Sequence, residues 1–474
     1  RGIEKETMVI IISQETFDTA VLENVIEFDM PLEEAIREAE NEFIAMDVRA
    51  DVVKNFHLSE DKRRIEHPII NALEKVRVYE HSPADNDIQD ALATFRSQCK
   101  LSIPHRVLAN SKNAYEVLLN FMKKFQDDPV LLEPALKAMV ALTETNSDIL
   151  TSEGTQLMLH LMNDWKVRTS EPAIPEYLAR WSTESCLKHE QNRQSMVAAG
   201  SLEHITALLQ GHRANSRVVK ASCKALRAFT LDDDIRQEFS KAHEHARLMV
   251  EDHDLITICF DILRDYLSES DKASELLSTV SKLCVRAEYC QLAVDRGALV
   301  VINDVLVSFP DHAVLNKQAI LLLKNMVGND KVKAEAMKIG AQLLIISALD
   351  KHQTNIGLCE AAVSALSMLA LRVPAHAKEL VRAGAAEAVT QAMKIHPKEK
   401  QLQKLGCMAI RNIVARVPEN QKHFLDLDVE NIITQAVEQH GQSMHDVAQA
   451  ALRDLGINVK LQEQWRGTGH EICR

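Results

Sequence analysis

The sequence predicts an all-α solenoid of about eight to nine three-helix repeats. Three observations carry this. Gly154, Gly200, Gly297, Gly340 and Gly384 form a ladder in which 154 to 200 is 46 residues, 297 to 340 is 43 and 340 to 384 is 44. The fifth and ninth positions after each of the last four glycines repeat one apolar stripe: Ile205 and Leu209, Ile302 and Leu306, Ile345 and Leu349, Val389 and Met393. Glycine and proline are scarce, at 14 and 12 in 474 residues, which favours helix throughout. A period of 40–47 residues in a helical sequence marks a solenoid in which each unit buries its apolar face against its neighbours.

Glycine suits the rung because a short helix ends there and the next leaves steeply, which calls for a left-handed residue. Extending the register outward places Asn110, His253 and Asp428 where glycine is missing. Their side-chain types are the non-glycine residues most tolerant of positive φ. Eight rungs result, and the period matches a right-handed superhelical solenoid of armadillo-repeat type.

Residues 1–46 read as an amphipathic helical segment. Phe17, Val21 and Val25 step by four, and Ala35, Ala39 and Phe43 repeat the pattern after Met30-Pro31. Glu33, Glu34, Glu38, Glu40 and Glu42 surround that face, as befits a polar solenoid cap; a docking segment is the alternative. Residues 1–7 precede Met8, and read as upstream sequence or an expression scar. Residues 47–84 read as a divergent charged linker with one helix at 69–79. Its Lys62-Arg63-Arg64 triplet reads as solvated charge rather than an address signal.

The solenoid is expected over 85–456, with third helices near 130–144, 173–187, 216–230, 272–286, 313–327, 356–371, 400–415 and 443–455. One unit is too long, since Gly200 to His253 is 53 residues. The surplus at 231–252 carries Ile235, Phe239, Ala242, Ala246 and Met249 at helical spacing and is expected to extend a helix, with Asp232, Asp233 and Asp234 at its N-terminus. With Arg236, His243, His245 and Arg247, these acids form a candidate recognition ridge or brace. Residues 457–474 are expected to close the last apolar face with Leu461 and Trp465.

A formal charge of −13 argues against general binding of nucleic acid or anionic membrane. Nine scattered cysteines without a CxxC pair and without a secretory signal point to a reducing compartment, cytosol or nucleus. The apolar run 8–12 is too short for a secretory core, and 341–349 is far short of a bilayer span. His243 and His245 sit two apart on a helix and do not face one another, so a surface pair is expected rather than a metal site. Cys284 and Cys290 have no histidine at ligand spacing; Cys223, Cys359 and Cys407 read as small buried residues. No phosphate loop, dinucleotide fingerprint or nucleophile triad is present, so no catalytic, cofactor or metal site is expected.

Aligning the third helices on the rungs puts Arg227, Lys282, Lys324, Arg411 and Arg453 in one register, interrupted by Thr183 and Ser367. Such a basic row in the concave groove would suit an acidic extended or helical segment of a protein partner. The competing reading is that cations near helix C-termini complement the dipole.

The stretches ISQETFD (12–18), CLKHEQNRQ (186–194), DDDIRQEF (232–239), AHEHAR (242–247), AIRN (409–412) and AALRDLG (450–456) resemble the armadillo repeat-containing protein 6 family from about Ile10 to Trp465. The resemblance weakens over 47–84 and at His253 and Asp428. It implies an intracellular, non-catalytic armadillo solenoid and carries over no catalytic or cofactor residue. Importin-type armadillo proteins pair groove asparagines with a tryptophan one turn earlier. Here Asn325 and Asn412 follow Leu321 and Met408, so binding of a nuclear localisation signal is not expected, and the asparagines are candidates for a partner's backbone or a neighbouring loop. The expected function is a monomeric protein-interaction scaffold without cofactor. The alternatives are an Hsp70-type nucleotide-exchange adaptor, for which accelerated ADP release is the discriminating assay, and a nuclear transport adaptor.

Overall fold

A computed structural model describes residues 14–45, 68–81 and 87–458. The basic triplet 62–64, residues 1–12 and the closing pair Leu461 and Trp465 lie outside the described residues. All regular structure among the described residues is helical. The chain divides into two compact units, 1–242 and 243–474.

The first unit opens with a helical hairpin, α1 (Gln14–Glu27) and α2 (Leu32–Ala45). Two helices replace one continuous element because Asp29 is left-handed (φ 54°) and Pro31 follows. Phe17, Val21, Ala35 and Ala39 close their small core, and the Phe17 and Phe43 rings lie 6.1 Å apart. Asp29 and Lys112 form an ion pair that ties the hairpin to the repeats.

Helix α3 (Pro68–His81) is the helix expected at 69–79, but it packs on the repeats rather than standing in a linker. It buries Ile69, Ala72, Leu73 and Val76 and packs on α4 (Ile88–Leu101), so the helical stack begins before residue 85. Complete repeats follow: α5 (Ile103–Ser111), α6 (Ala114–Lys124) and α7 (Pro129–Thr143); a 3-10 turn at Ser147–Ile149, α8 (Ser152–Trp165) and α9 (Ala173–Cys186); then α10 (Glu190–Ala198), α11 (Ser201–Gly211) and α12 (Ser216–Ala228). The long helices α4, α7, α9 and α12 pack in succession. Asp128 and Asn215 start two of them, accepting backbone N–H groups of Val130 at 2.9 Å and Arg217 at 3.1 Å.

The second unit repeats the plan. Its triplets are α13 (Ala242–Glu251), α14 (Leu255–Tyr266) and α15 (Ser270–Leu283); α16 (Ala287–Asp295), α17 (Ala298–Ser308) and α18 (Ala313–Met326); α19 (Asp330–Lys338), α20 (Ala341–Lys351) and α21 (Ile356–Ala370); α22 (Pro374–Arg382), α23 (Ala385–Ile395) and α24 (Lys400–Val414); α25 (Gln421–Leu425), α26 (Val429–His440) and α27 (Gln442–Asp454). The third helices α15, α18, α21, α24 and α27 again pack each on the next. All third helices fall within three residues of the expected spans.

The rungs are set partly by other residues than expected. Gly200, Gly297, Gly340, Gly384 and Asp428 are left-handed, as anticipated. In the first repeat the left-handed residue is Asn113 (φ 60°), not Asn110, which lies inside α5; in the fourth it is Asp254 (φ 47°), not His253. Counting five and nine onward from these lands on Leu118 and Met122, and on Cys259 and Leu263, all fully buried. The left-handed residue thus lies one to three residues after the expected position, and the apolar stripe is buried from it as well.

Gly154 is not a rung. It sits in the first turn of α8, and Thr151, in extended backbone, caps that helix by accepting the Gly154 N–H at 3.0 Å. What requires glycine there is space: a Cβ would stand 1.9 Å from the Tyr115 hydroxyl. Gly154→Ala is expected to lower stability by about 1–3 kcal/mol through overpacking. Tyr115→Phe, which removes the offending oxygen, should recover part of that loss. Chemical denaturation of the two single variants and the double variant checks this, and additive losses would exclude the contact as the cause.

Candidate interaction surface

Residues 231–241 contain no helix, and α13 begins only at Ala242. The expected helix over 231–252 is thus confined to its second half. Ile235 is 100% and Phe239 78% exposed, so neither continues the apolar stripe, whereas Ala246 and Met249 are buried. The reason is electrostatic. Asp233 and Asp234 do not start their own helix; they turn back onto the N-terminus of α10, accepting the N–H of Lys188 at 3.2 Å and of Glu190 at 2.8 Å. Anions at a helix N-terminus meet unsatisfied N–H groups and the favourable end of the dipole.

Arg193, fully buried, holds this arrangement from inside. It donates to Glu190 at 2.8 Å, to Asp233 at 2.7 Å and to the Cys186 carbonyl at 2.7 Å. Arg236 closes the outer side, reaching Asp234 and Asp148 at 2.8 Å each and the Lys188 carbonyl at 2.8 Å. Glu190 also accepts from the Lys241 N–H at 2.7 Å. A buried cation bonded through Nε and Nη1 to two carboxylates and a carbonyl costs several kcal/mol to uncouple from its partners. The charged residues brace the loop, and its apolar residues are left on display. Asp232 is exposed.

His243 and His245 are not a surface pair. His243 is exposed while His245 is buried, because positions two apart on α13 point to different faces. Arg247 pairs with Glu251 at 2.8 Å on the same helix. Among the described residues no cluster of three or more His, Cys, Asp or Glu could hold a metal ion, and no helix is long and apolar enough to cross a membrane. The eight described cysteines are buried and unbridged, and burial pushes the thiols of Cys99 and Cys407 up to about 12.

The basic row lies in the last turns of the third helices: Arg227 on α12, Lys282 on α15, Lys324 on α18, Arg411 on α24 and Arg453 on α27. All five are therefore placed to complement a helix C-terminus. Arg411 and Arg453 share Asp454, at 3.2 and 2.8 Å. Lys282 and Lys324 make no ion pair among the described residues. The two asparagines beside the row turn inward. Asn325 donates to the carbonyl and hydroxyl of Ser281 at 2.8 and 3.0 Å, and Asn412 to those of Ser367 at 3.3 and 2.9 Å. Each links its third helix to the preceding one, which removes it as a donor to a partner's backbone.

A stronger basic surface lies in the first unit, where sequence reading did not place it. A cleft of roughly 480 Å³ crosses the exposed faces of α4, α7, α9 and α12. Seven cations line it: Arg96 and Lys100 on α4, Lys137 on α7, Arg180 on α9, and Arg217, Lys220 and Lys224 on α12. Three carboxylates, Glu144, Glu176 and Glu184, line it with them. Buried Glu176 binds Arg180 at 2.7 Å and lies 3.7 Å from Arg217. Lys137 pairs with Glu133, and both Lys137 and Arg180 sit over the Tyr177 ring, 5.5 and 5.0 Å from its centroid. Arg96, Lys100, Lys220 and Lys224 make no ion pair with any described residue. Burial, and after it the charge of Glu144, raises the Glu184 carboxyl above its usual range. The sequence signal was available: Arg96 with Lys100, and Lys220 with Lys224, stand four apart on helices whose other face is apolar.

The family is decided by comparison with known proteins. The ARMC6 family model matches residues 69–473, and the model of the armadillo repeat-containing protein 6 N-terminal domain matches residues 11–67. The chain belongs to the armadillo repeat-containing protein 6 family. Human armadillo repeat-containing protein 6 is 41% identical over 468 residues, covering 96% of this chain and 93% of that protein. The Drosophila melanogaster homolog of armadillo repeat-containing protein 6 is 38% identical over 472 residues, covering 98% and 99%. A crystal structure of an engineered protein aligns with a TM-score of 0.62 at 16% identity, over 94% of this chain and 99% of that one, which shows the fold alone. The family model starts at Ile69, in the first turn of α3, in agreement with a stack that begins before residue 85.

The acidic brace has a pH signature. The Arg236 guanidinium, followed by the Glu190 and Arg236 N–H groups, holds the Asp234 carboxyl well below the usual carboxylate range; Glu190 is also lowered, its hydrogen bonds outweighing its burial. A carboxyl lowered in the folded state stabilises it above the unfolded pKa, about 3.9 for Asp, and that contribution fades as pH falls through the folded value. The stability difference between the natural chain and Asp234→Asn should therefore be largest at neutral pH and shrink below about pH 4. Denaturation across pH 7 to 2 measures it, and a constant difference would contradict the assignment.

Proposed function

We propose that the chain is a non-catalytic scaffold that binds a segment of a protein partner against the exposed faces of its third helices, acting in the cytoplasm or nucleus. The supporting observation is the cleft on α4, α7, α9 and α12. Four of its cations lack internal partners on a chain whose net charge is −13. Charge gathered against the sign of the whole chain favours an acidic segment, through attraction on approach and through pairing once bound. In the second unit Lys282 and Lys324 offer a lesser surface of the same kind. Arg411 and Arg453 already share Asp454 and contribute less. The inward bonding of Asn325 and Asn412 counts against the importin-type alternative. No feature of the described residues favours the Hsp70 reading.

One observation favours a second contact. Ile235 and Phe239 project from a loop that Asp233, Asp234 and Arg236 already brace, so burying them against a partner's apolar pocket would need little further ordering of the loop. Affinity capture with three full-length chains separates the two readings: natural, Arg217→Glu/Lys220→Glu/Lys224→Glu, and Ile235→Ser/Phe239→Ser. Partners held by the cleft should fall at least about tenfold with the first variant, the effect of losing several coupled ion pairs of ~0.2–1 kcal/mol each. Retention of every partner by the first variant, with loss by the second, moves the function to the loop.

A further inference from the structure

The charges of the first-unit cleft are ordered, and the order specifies the ligand more closely than its sign. This inference rests on the scaffold reading above. At one side, α4 presents Arg96 and Lys100; at the other, α12 presents Lys220 and Lys224; none of the four has an ion-pair partner among the described residues. Between them, the cations of α7 and α9 are already spent: Lys137 on Glu133, Arg180 on Glu176, both stacked on Tyr177. What α7 and α9 leave unpaired is negative, namely Glu144 and the half-buried Glu184. The surface reads positive, negative, positive from α4 to α12.

We infer that the cleft takes an extended protein segment with acidic residues at its two ends and a lysine or arginine at its centre. The central cation sits between Glu144 and Glu184, and the flanking carboxylates meet Arg96 and Lys100 on one side and Lys220 and Lys224 on the other. Burial, and after it the charge of Glu144, raises the Glu184 carboxyl against the pull of Arg180 and Arg106, so a cation placed between Glu144 and Glu184 offsets both penalties at Glu184. The length follows from helix packing. Three steps between packed helices at about 8–10 Å each span roughly 27 Å. An extended chain rising about 3.3 Å per residue crosses that distance in roughly eight residues. A uniformly acidic segment would set carboxylates against Glu144 and Glu184. A nucleic acid would do the same with phosphates, and like charges at close range select against both.

The test uses the full chain and fluorescein-labelled nonapeptides read by anisotropy at about 50 mM salt. One probe carries two glutamates at each end and two central lysines. A second has the same composition with all four glutamates at one end, and a third replaces the lysines by glutamate. The patterned peptide is expected to bind at least about tenfold more tightly than either other. Lys220→Glu/Lys224→Glu should abolish that binding. Glu184→Gln should erase the preference for central lysine while leaving affinity for the all-glutamate peptide unchanged or higher. Circular dichroism melts of both variants establish that they fold. Equal binding of patterned and shuffled peptides, tighter binding of the all-glutamate peptide, or displacement of the patterned peptide by an equimolar RNA oligonucleotide would overturn the inference. Failure of all three peptides also overturns it, without touching the scaffold reading. That reading fails separately, if captured partners are indifferent to Arg217→Glu/Lys220→Glu/Lys224→Glu in the assay above.

Discussion

The packing of each third helix on the next is the constraint from which the remaining features follow. In the first unit Leu92, Leu132, Leu136, Leu178, Val219 and Leu226 on these helices are fully buried, each contributing about 1.5–3 kcal/mol of apolar burial. A helix that spends one face on its neighbours leaves the opposite face to water, and stacked helices place those faces side by side. Polar residues there are fixed in position by a core in which they take no part. That is how Arg96, Lys137, Arg180 and Lys220, far apart in sequence, come to line one cleft.

Regularity along the stack is secured by small polar devices that cross between repeats. Asn325 and Asn412 bind the serine one repeat earlier, Asn420 binds the Ala377 carbonyl, and buried Lys333 reaches the Leu371 carbonyl at 2.9 Å. The bonds to Ser281, Ser367 and Leu371 each satisfy a carbonyl at a helix C-terminus that would otherwise lie uncovered. The Arg193 cluster belongs to the same class but carries more charge, because the loop after α12 is longer and brings two aspartates back to α10.

Most of the fold was legible because the turn chemistry and the apolar stripe repeat together. The errors have physical reasons. Asn110 and Asn113, like His253 and Asp254, are all residue types that tolerate positive φ and lie close together in sequence, and both registers lead to apolar residues; only the backbone angle separates them. Gly154 has the right spacing but serves Tyr115 rather than the backbone. Ile235 and Phe239 have helical spacing, yet Asp233 and Asp234 find better partners on α10 than a helix of their own would supply. The basic row was chosen by repeat register, which selects helix ends. Arg96, Lys137, Arg180 and Lys224 of the cleft recur at 41, 43 and 44 residues, so the period collects them too, but about one turn before the helix ends on which the row was aligned.

Site-directed photo-crosslinking tests most directly whether the exposed third-helix faces are where partners dock. A photoreactive residue at Thr183, half-buried in the cleft, is compared with one at Val107, 59% exposed on the first helix of its repeat. Discrete partner adducts at Thr183 and none at Val107 are the expected result. Adducts at Val107 with none at Thr183 would contradict the account.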